Sequence, residues 1–156
     1  MDTSKIDEKV LREYLFKEVE ITQDVIDRMG TNSFVIKGWA ITLVVASLIF
    51  GGASYYHFIA FLPWLMFWYL DAYFLRLERL YRKSYGWLIL NRLTSPEHLL
   101  DMDRTNLERR FGKDIKSLLR VMFSMTLIVF YGLLLVTIVA VVVAGLLLPA
   151  SSISKA

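Results

Sequence analysis

Two ionisable residues of opposite charge lie inside stretches that are otherwise apolar. Lys37 lies one turn into FVIKGWAITLVVASLIFGGASYY (residues 34–56), and Asp71 lies within MFWYLDAYFLRLERLYRKSYG (66–86). A lone charge at that depth of a bilayer is costly, and pairing with an opposite charge lowers the cost. The sequence therefore predicts a Lys37–Asp71 pair. The pair either is a latch, which fixes the register of an antiparallel helix hairpin, or lies at the mouth of a pore and faces a polar cavity.

Other chemistry-bearing patterns are lacking. The chain has no cysteine, which excludes disulfides and thiolate sites, and its two histidines, His57 and His98, lie far apart in the sequence. The sequence contains no phosphate-binding glycine loop, nucleophile elbow or carboxylate pair in a polar setting. We therefore expect no metal, no cofactor and no enzymatic activity.

The composition indicates the class of protein. The chain has 156 residues, 56% of them hydrophobic, and its mean hydropathy is +0.47. Three apolar segments, residues 34–56, 58–75 and 121–149, approach or exceed the length needed to cross about 30 Å of hydrocarbon. The sequence predicts an all-α integral membrane protein with three transmembrane helices.

The segments between and around these spans complete the predicted organisation. Residues 1–33 form an amphipathic N-terminal helix over about residues 5–29, and residues 34–75 form a transmembrane hairpin. Residues 76–120 are a basic helical region, in which Ser95 and Pro96 begin a short helix. Asp114 is expected to begin the helix that leads into the third span, 121–149, and residues 150–156 form a short tail.

The distribution of lysine and arginine predicts the orientation. Of the eighteen such residues, five lie in residues 1–33 and eleven in residues 76–120, whereas one follows the third span. By the positive-inside rule the N-terminus and the 76–120 region are cytoplasmic and the C-terminal tail is external. The first region has a net charge of −3 and the second +5. The N-terminal helix therefore either packs against the rest of the chain or is suited to a basic protein surface or to self-association.

Two further sets of residues are candidates for contacts. Basic residues of the 76–120 region can hold anions, either lipid headgroups or a nucleotide: Arg76, Arg79, Arg82, Lys83, Arg109 and Arg110. Small residues four apart allow helices to approach closely: Ser47 with Gly51, and Ala140 with Ala144. We expect a homo-oligomer, with a tetramer as the assembly, in contact with membrane lipids.

Two stretches, RMGTNSFVIKGWAITL (28–43) and FWYLDAYFLRLERLYRKSYG (67–86), resemble small helical membrane proteins of bacterial conflict systems. These include SLATT-type families and the membrane effectors paired with nucleotidyltransferases in CBASS-like and Hailong-like anti-phage defence. The resemblance covers roughly the first two spans and the helix after them. The family's two core spans do not account for the third span, so the pore-lining helix stays open.

The resemblance implies a pore-forming effector of the bacterial inner membrane, with its C-terminus in the periplasm. A nucleotide or oligonucleotide signal, supplied by a partner nucleotidyltransferase system, would gate the pore and so cause abortive infection. Lys37 and Asp71 would lie at the cytoplasmic mouth. The rival hypothesis is a non-conducting membrane anchor that recruits a cytosolic partner through its N-terminal helix.

Overall fold

The structure, a computed structural model, describes residues 8–50 and 58–147. Within these ranges the fold is all-α, as predicted, and three of the helices are long and apolar enough to cross a membrane. The helices are α1 (Glu8–Phe50), α2 (Phe61–Asn91), α3 (Arg104–Phe111), α4 (Leu118–Met122) and α5 (Met125–Leu147). A 3-10 turn, Gly112–Asp114, follows α3, and residues 58–60 also form a 3-10 turn directly before α2.

Helix α1 is one continuous helix of 43 residues, whereas the sequence predicted a helix ending near Met29 and a separate span. The prediction was wrong because Gly30 and the three polar residues after it are typical of a turn. A helix tolerates such residues at about 1 kcal/mol for the glycine. Here Ser33 and Lys37 make side-chain contacts within α1 and across to α2, and these tertiary contacts favour the helical conformation over a turn.

The chain divides into two compact units, and α1 and α2 each contribute to both. Among the described residues, we name the first the charged unit, comprising residues 8–32 and Phe74–Ser117. The second, the apolar unit, comprises residues 33–50, 58–73 and 118–147.

The apolar unit has a small core and an extensive apolar surface. Its core contains Val44 of α1, Ala60, and Ile138 and Val142 of α5. The indole N–H groups of Trp64 and Trp68 donate to the carbonyl oxygens of Tyr131 and Met122, at 2.8 and 3.1 Å. Its most exposed side chains, among them Phe34, Phe50 and Met125, are large and apolar. This surface suits lipid rather than water.

In the charged unit, α2 continues past the apolar segment to Asn91. The predicted short helix at Ser95 and Pro96 does not form, because residues 92–103 run as a loop of turns. The next helix is α3, whose N-cap is Asp103: its carboxylate accepts a hydrogen bond from the Thr105 N–H at 3.0 Å.

The approach to the third span also differs from the prediction. Asp114 ends a 3-10 turn instead of starting a helix. The chain then forms the five-residue helix α4, and the apolar helix α5 begins at Met125. Residues 148–149, the end of the predicted span, and the tail 150–156 lie outside the described residues.

Candidate functional site

Lys37 and Asp71 lie in direct contact. The Lys37 Nζ atom is 2.6 Å from Asp71 Oδ2. Asp71 is fully buried, and the Lys37 side chain is 23% exposed. The two residues come from α1 and α2, the antiparallel hairpin on which the sequence prediction was based.

Two more side chains complete the environment of Asp71. The Ser33 hydroxyl, one helical turn before Lys37, donates to Asp71 Oδ1 at 2.5 Å and accepts from Lys37 Nζ at 2.7 Å. From α5, the Tyr131 hydroxyl lies 3.2 Å from Asp71 Oδ2 and 3.1 Å from the carbonyl oxygen of Phe67. The carboxylate thus connects α1, α2 and α5. We name these four residues, Ser33, Lys37, Asp71 and Tyr131, the Asp71 node.

The geometry of the Asp71 node favours a latch over a charge facing water. Both carboxylate oxygens accept hydrogen bonds, and the carboxylate has no exposed surface. A buried carboxylate without its cation would be strongly destabilising in an apolar segment. Lys37 neutralises Asp71, and its ammonium also lies 5.9 Å from the centre of the Phe130 ring.

The charged unit contains a second buried ion pair, which the sequence analysis did not identify. Glu18 of α1 is 0% and Arg92 is 1% exposed. Arg92 Nε donates to Glu18 Oε2 at 2.5 Å, and Nη2 donates to Oε1 at 2.9 Å. The backbone N–H of Leu100 also donates to Glu18 Oε1, at 2.6 Å.

Arg92 also holds the loop that follows it. Its guanidinium donates to three backbone carbonyl oxygens, those of Ser95, Glu97 and His98, at 3.1, 2.6 and 3.2 Å. Two non-glycine residues of this loop, His98 and Leu100, adopt a positive φ of 56°. A left-handed conformation costs an L-residue about 1–2 kcal/mol. The buried ion pair therefore holds a strained loop against α1.

The six basic residues predicted to contact anions fall into different environments. Arg76 is engaged within the chain: Nη1 donates to Glu108 Oε2 at 3.0 Å, and Nη2 donates to Oε1. The hydrogen bond from Arg76 holds the pKa of the Glu108 carboxyl below its usual range. Arg79 is partly exposed on the same helix. Arg76 is therefore a structural contact, and the other residues are better placed for ligands.

Arg82 and Lys83 border a groove between α2 and α3, which we name the α2–α3 groove. It has a volume of about 360 Å³, and its lining includes Trp87, Leu90 and Phe111. The two cations make ion pairs at the surface, Arg82 with Glu78 at 2.8 Å and Lys83 with Asp114 at 3.8 Å. Exposed pairs of this kind contribute about 0–1 kcal/mol, so both cations remain available to other anions.

Arg109 and Arg110 line a smaller cavity of about 140 Å³ with His98, Asp101 and Asn106, which we name the Arg109–Arg110 pocket. Arg110 lies over the rings of Trp87 and Phe111, 4.6 and 4.9 Å from their centres. Burial lowers the pKa of the Arg110 guanidinium, whereas attraction from Asp101 raises it and repulsion from Arg92 lowers it. A bound anion would add to the effect of Asp101.

The residues predicted to pack between copies are only partly described. Ala140 and Ala144 lie on the exposed side of α5, whose buried side carries Ile138 and Val142. Ser47 is partly exposed, and its hydroxyl donates to the carbonyl oxygen of Leu43 at 2.7 Å. Gly51 lies outside the described residues, as does His57.

Among the described residues, no cluster of histidine, aspartate or glutamate has the arrangement of a metal site. Comparison with protein-family models, with curated proteins and with solved structures finds no match for this chain. Its function therefore has to be argued from its own residues.

Proposed function

We propose that the protein is a multi-pass membrane effector of bacterial anti-phage defence that assembles into a homo-oligomer, with a tetramer as the expected form. It conducts ions or disrupts the membrane when an anionic nucleotide or oligonucleotide binds its cytoplasmic face. The role in defence and the nucleotide signal are what the resemblance of residues 28–43 and 67–86 to small membrane proteins of bacterial conflict systems implies. The observation that supports a ligand-controlled membrane protein is the continuity of α1 and α2, each of which supplies residues to both the charged and the apolar unit.

The apolar unit suits a bilayer in both its surface and its interior. Its exposed side chains are predominantly large and apolar, and the charges of Lys37 and Asp71 neutralise one another inside it. The excess of lysine and arginine in residues 76–120 supports a cytoplasmic location for the charged unit. An external C-terminus follows from this proposed topology, and the bacterial inner membrane, which makes that side the periplasm, is what the resemblance implies.

Because α1 and α2 are continuous, ligand binding in the charged unit can affect the proposed membrane spans. A rotation or shift of α1 or α2 in the charged unit would be carried along the same helix to Lys37 or Asp71. A packed interface has few alternative arrangements, so such a shift favours a switch between discrete states. We infer that the two helices couple ligand binding to a rearrangement of the spans.

Conduction requires more than one copy. The core of the apolar unit is filled by aliphatic side chains around Val44 and Ile138, so a single chain offers no polar path along its described spans. The exposed Ala140 and Ala144 would allow close helix contacts between copies. A path between copies is the simplest arrangement consistent with these features.

The Arg109–Arg110 pocket is the proposed contact for the anionic ligand. It joins two cations to the amide of Asn106. Two guanidinium groups close together suit the phosphates of a nucleotide or oligonucleotide. Asp101 also lines the pocket and accepts a hydrogen bond from the Asn106 amide at 3.0 Å, and the two guanidinium groups outnumber its single carboxylate.

Ion flux from liposomes tests the proposal. The full chain is reconstituted, and flux is measured with and without a mixture of short oligonucleotides and cyclic nucleotides. We expect ligand-dependent flux that the double substitution Arg109→Gln and Arg110→Gln abolishes. The matched control, Lys113→Gln with Lys116→Gln, removes the same charge from exposed positions outside the pocket and should retain flux. Equal flux from the two double variants would refute the ligand site.

The second candidate function is a non-conducting membrane anchor. The full burial of the Asp71 carboxylate favours it, because a neutralised and enclosed charge does not attract ions to a pore mouth. The exposed face of α1 would then recruit a cytosolic partner. Absence of flux under every ligand condition, from protein that is inserted and folded, would favour this function.

A further inference from the structure

The outer face of α1 carries an exposed aromatic residue that its own chain does not cover. Phe16 is 69% exposed, although it lies in the charged unit. Glu13 and Glu20 lie three residues before it and four after it, so all three share one face of the helix. Both carboxylates are exposed, and Lys17, exposed on the same face, pairs with Glu20 at 2.8 Å. Two carboxylates and one ammonium give the face a net charge of −1. We name this face, Glu13, Phe16 and Glu20, the α1 acidic ridge.

The α2–α3 groove has the complementary character. Trp87, Leu90 and Phe111 give it an apolar lining, and Leu90 is 80% exposed. Arg82 and Lys83 supply cations beside this lining. An apolar groove flanked by cations fits an amphipathic helix that presents an aromatic residue between two carboxylates.

We propose that the α1 acidic ridge of one copy docks in the α2–α3 groove of a second copy. Phe16 inserts against Trp87 and Leu90, and Glu13 and Glu20 pair with Arg82 and Lys83. The inference rests on the proposed homo-oligomer and specifies its contact outside the membrane. Because ridge and groove are different surfaces, the contact is head-to-tail, and repetition closes a ring if the rotation allows it.

The bilayer is a poor alternative partner for the groove. Leu90 lies in the charged unit, fifteen residues beyond the end of the predicted second span at residue 75. Four cations lie between that span and Leu90 in the sequence, Arg76, Arg79, Arg82 and Lys83, and such charges are costly in hydrocarbon. A protein partner would cover the exposed leucine and its apolar neighbours from water.

The charges also favour a second copy over a free nucleotide. The lining around Trp87 and Leu90 is predominantly apolar, and the Asp114 carboxylate lies beside Lys83 at 3.8 Å. This carboxylate repels a polyphosphate more strongly than a single glutamate, because a polyphosphate carries several negative charges. A helix that presents Phe16 between two glutamates can cover the apolar lining and still place each glutamate beside a cation.

Because the chain has no cysteine, pairwise cysteine trapping tests the contact directly in native membranes. The variant with Phe16→Cys and Leu90→Cys should form a ladder of disulfide-linked oligomers on mild oxidation. Phe16→Cys alone and Leu90→Cys alone should stay largely monomeric. The matched control is Phe16→Cys with Ile89→Cys, because Ile89 is exposed on the same helix but does not line the groove.

Charge reversal provides a second, independent readout. Glu13→Lys with Glu20→Lys should reduce the ladder to the level of the Ile89 control. Arg82→Glu with Lys83→Glu should do the same, and combining all four changes should restore it. Failure of this restoration would overturn the pairing of ridge and groove, and helicity measured by circular dichroism verifies that each variant is folded.

The remaining outcomes are also decisive. A ladder no stronger than the Ile89 control would overturn the contact, and a strong dimer from Phe16→Cys alone would replace it with a symmetric one. Loss of the ladder on adding oligonucleotide would assign the groove to the ligand instead. A disulfide ladder without ion flux would support this contact and refute the proposed pore. Ion flux without a ladder would support the pore and overturn this contact.

Discussion

Removing the charge of Glu18 should loosen the charged unit by a large and measurable amount. The variant Glu18→Gln keeps the shape of the side chain but leaves the Arg92 guanidinium buried without a counter-charge. Glu18 accepts hydrogen bonds from Arg92 at 2.5 and 2.9 Å and from the Leu100 N–H at 2.6 Å. An amide oxygen cannot replace all three, because the amide nitrogen faces the guanidinium donors.

The expected magnitude follows from this geometry. Removing one partner of a buried ion pair destabilises a protein by about 3–5 kcal/mol. At the lower limit this corresponds to roughly a hundredfold increase in the population of the opened loop, since about 1.4 kcal/mol is a factor of ten. The loop at residues 93–103 should respond most, because the same guanidinium holds three of its carbonyl oxygens.

Hydrogen exchange followed by mass spectrometry, on protein in nanodiscs, measures this opening. The matched control is Glu8→Gln, which removes an exposed ion pair with Arg12 at 3.2 Å on the same helix. It should change local stability by at most about 1 kcal/mol. If Glu18→Gln and Glu8→Gln exchange at the same rate in residues 93–103, the buried pair does not hold the loop and our reasoning fails.

Three further predictions concern the two units separately. Exchanging the charges of Lys37 and Asp71 should largely restore the folded, membrane-inserted yield that either single alanine substitution lowers, and a swap with no recovery would rule out their pairing as the cause. Leu100→Gly should raise the melting temperature by relieving about 1 kcal/mol of strain from the left-handed backbone conformation, whereas Leu100→Ala should not. Equal changes in the melting temperature of the two variants would show that this backbone is not strained. The hydrogen bond from Arg76 lowers the pKa of the Glu108 carboxyl below 4.5, so the contact should stabilise the protein above that pH. The stabilisation should be lost as the pH falls through the lowered pKa, which an NMR titration of the carboxyl carbon would detect. A titration of Glu108 at its ordinary pKa would exclude the contact.

The features that were predictable from the sequence involve long apolar segments, or single charges that stand out within them. The three spans follow from long apolar segments, and the proximity of Lys37 and Asp71 follows from two charges at equal depth in an antiparallel hairpin. Tyr131 was visible as a polar residue in the third span. Its contact with Asp71 was not, because the rotation of α5 about its axis depends on packing that an almost uniformly aliphatic segment does not specify.

The features that were missed depend on tertiary contacts between polar residues. Glu18 lies seven residues after Leu11 and eight before Ile26, on the buried side of α1. Its position among the apolar residues of one helix face could have predicted a buried carboxylate that needs a cationic partner. Arg92 likewise follows the apolar run WLIL. The helix predicted at Ser95 does not form, because the Arg92 guanidinium donates hydrogen bonds to the carbonyl oxygens of Ser95, Glu97 and His98.

Current across a planar bilayer containing the purified full chain is the most direct test of the proposed function. Nucleotides and oligonucleotides are added to one side at a time, and protease accessibility of residues 76–120 identifies the side that carries the charged unit. Our account predicts stepwise currents after addition to that side only, and none from the Arg109→Gln, Arg110→Gln variant. A bilayer that stays silent after additions to both sides, with inserted and oligomeric protein, would contradict it.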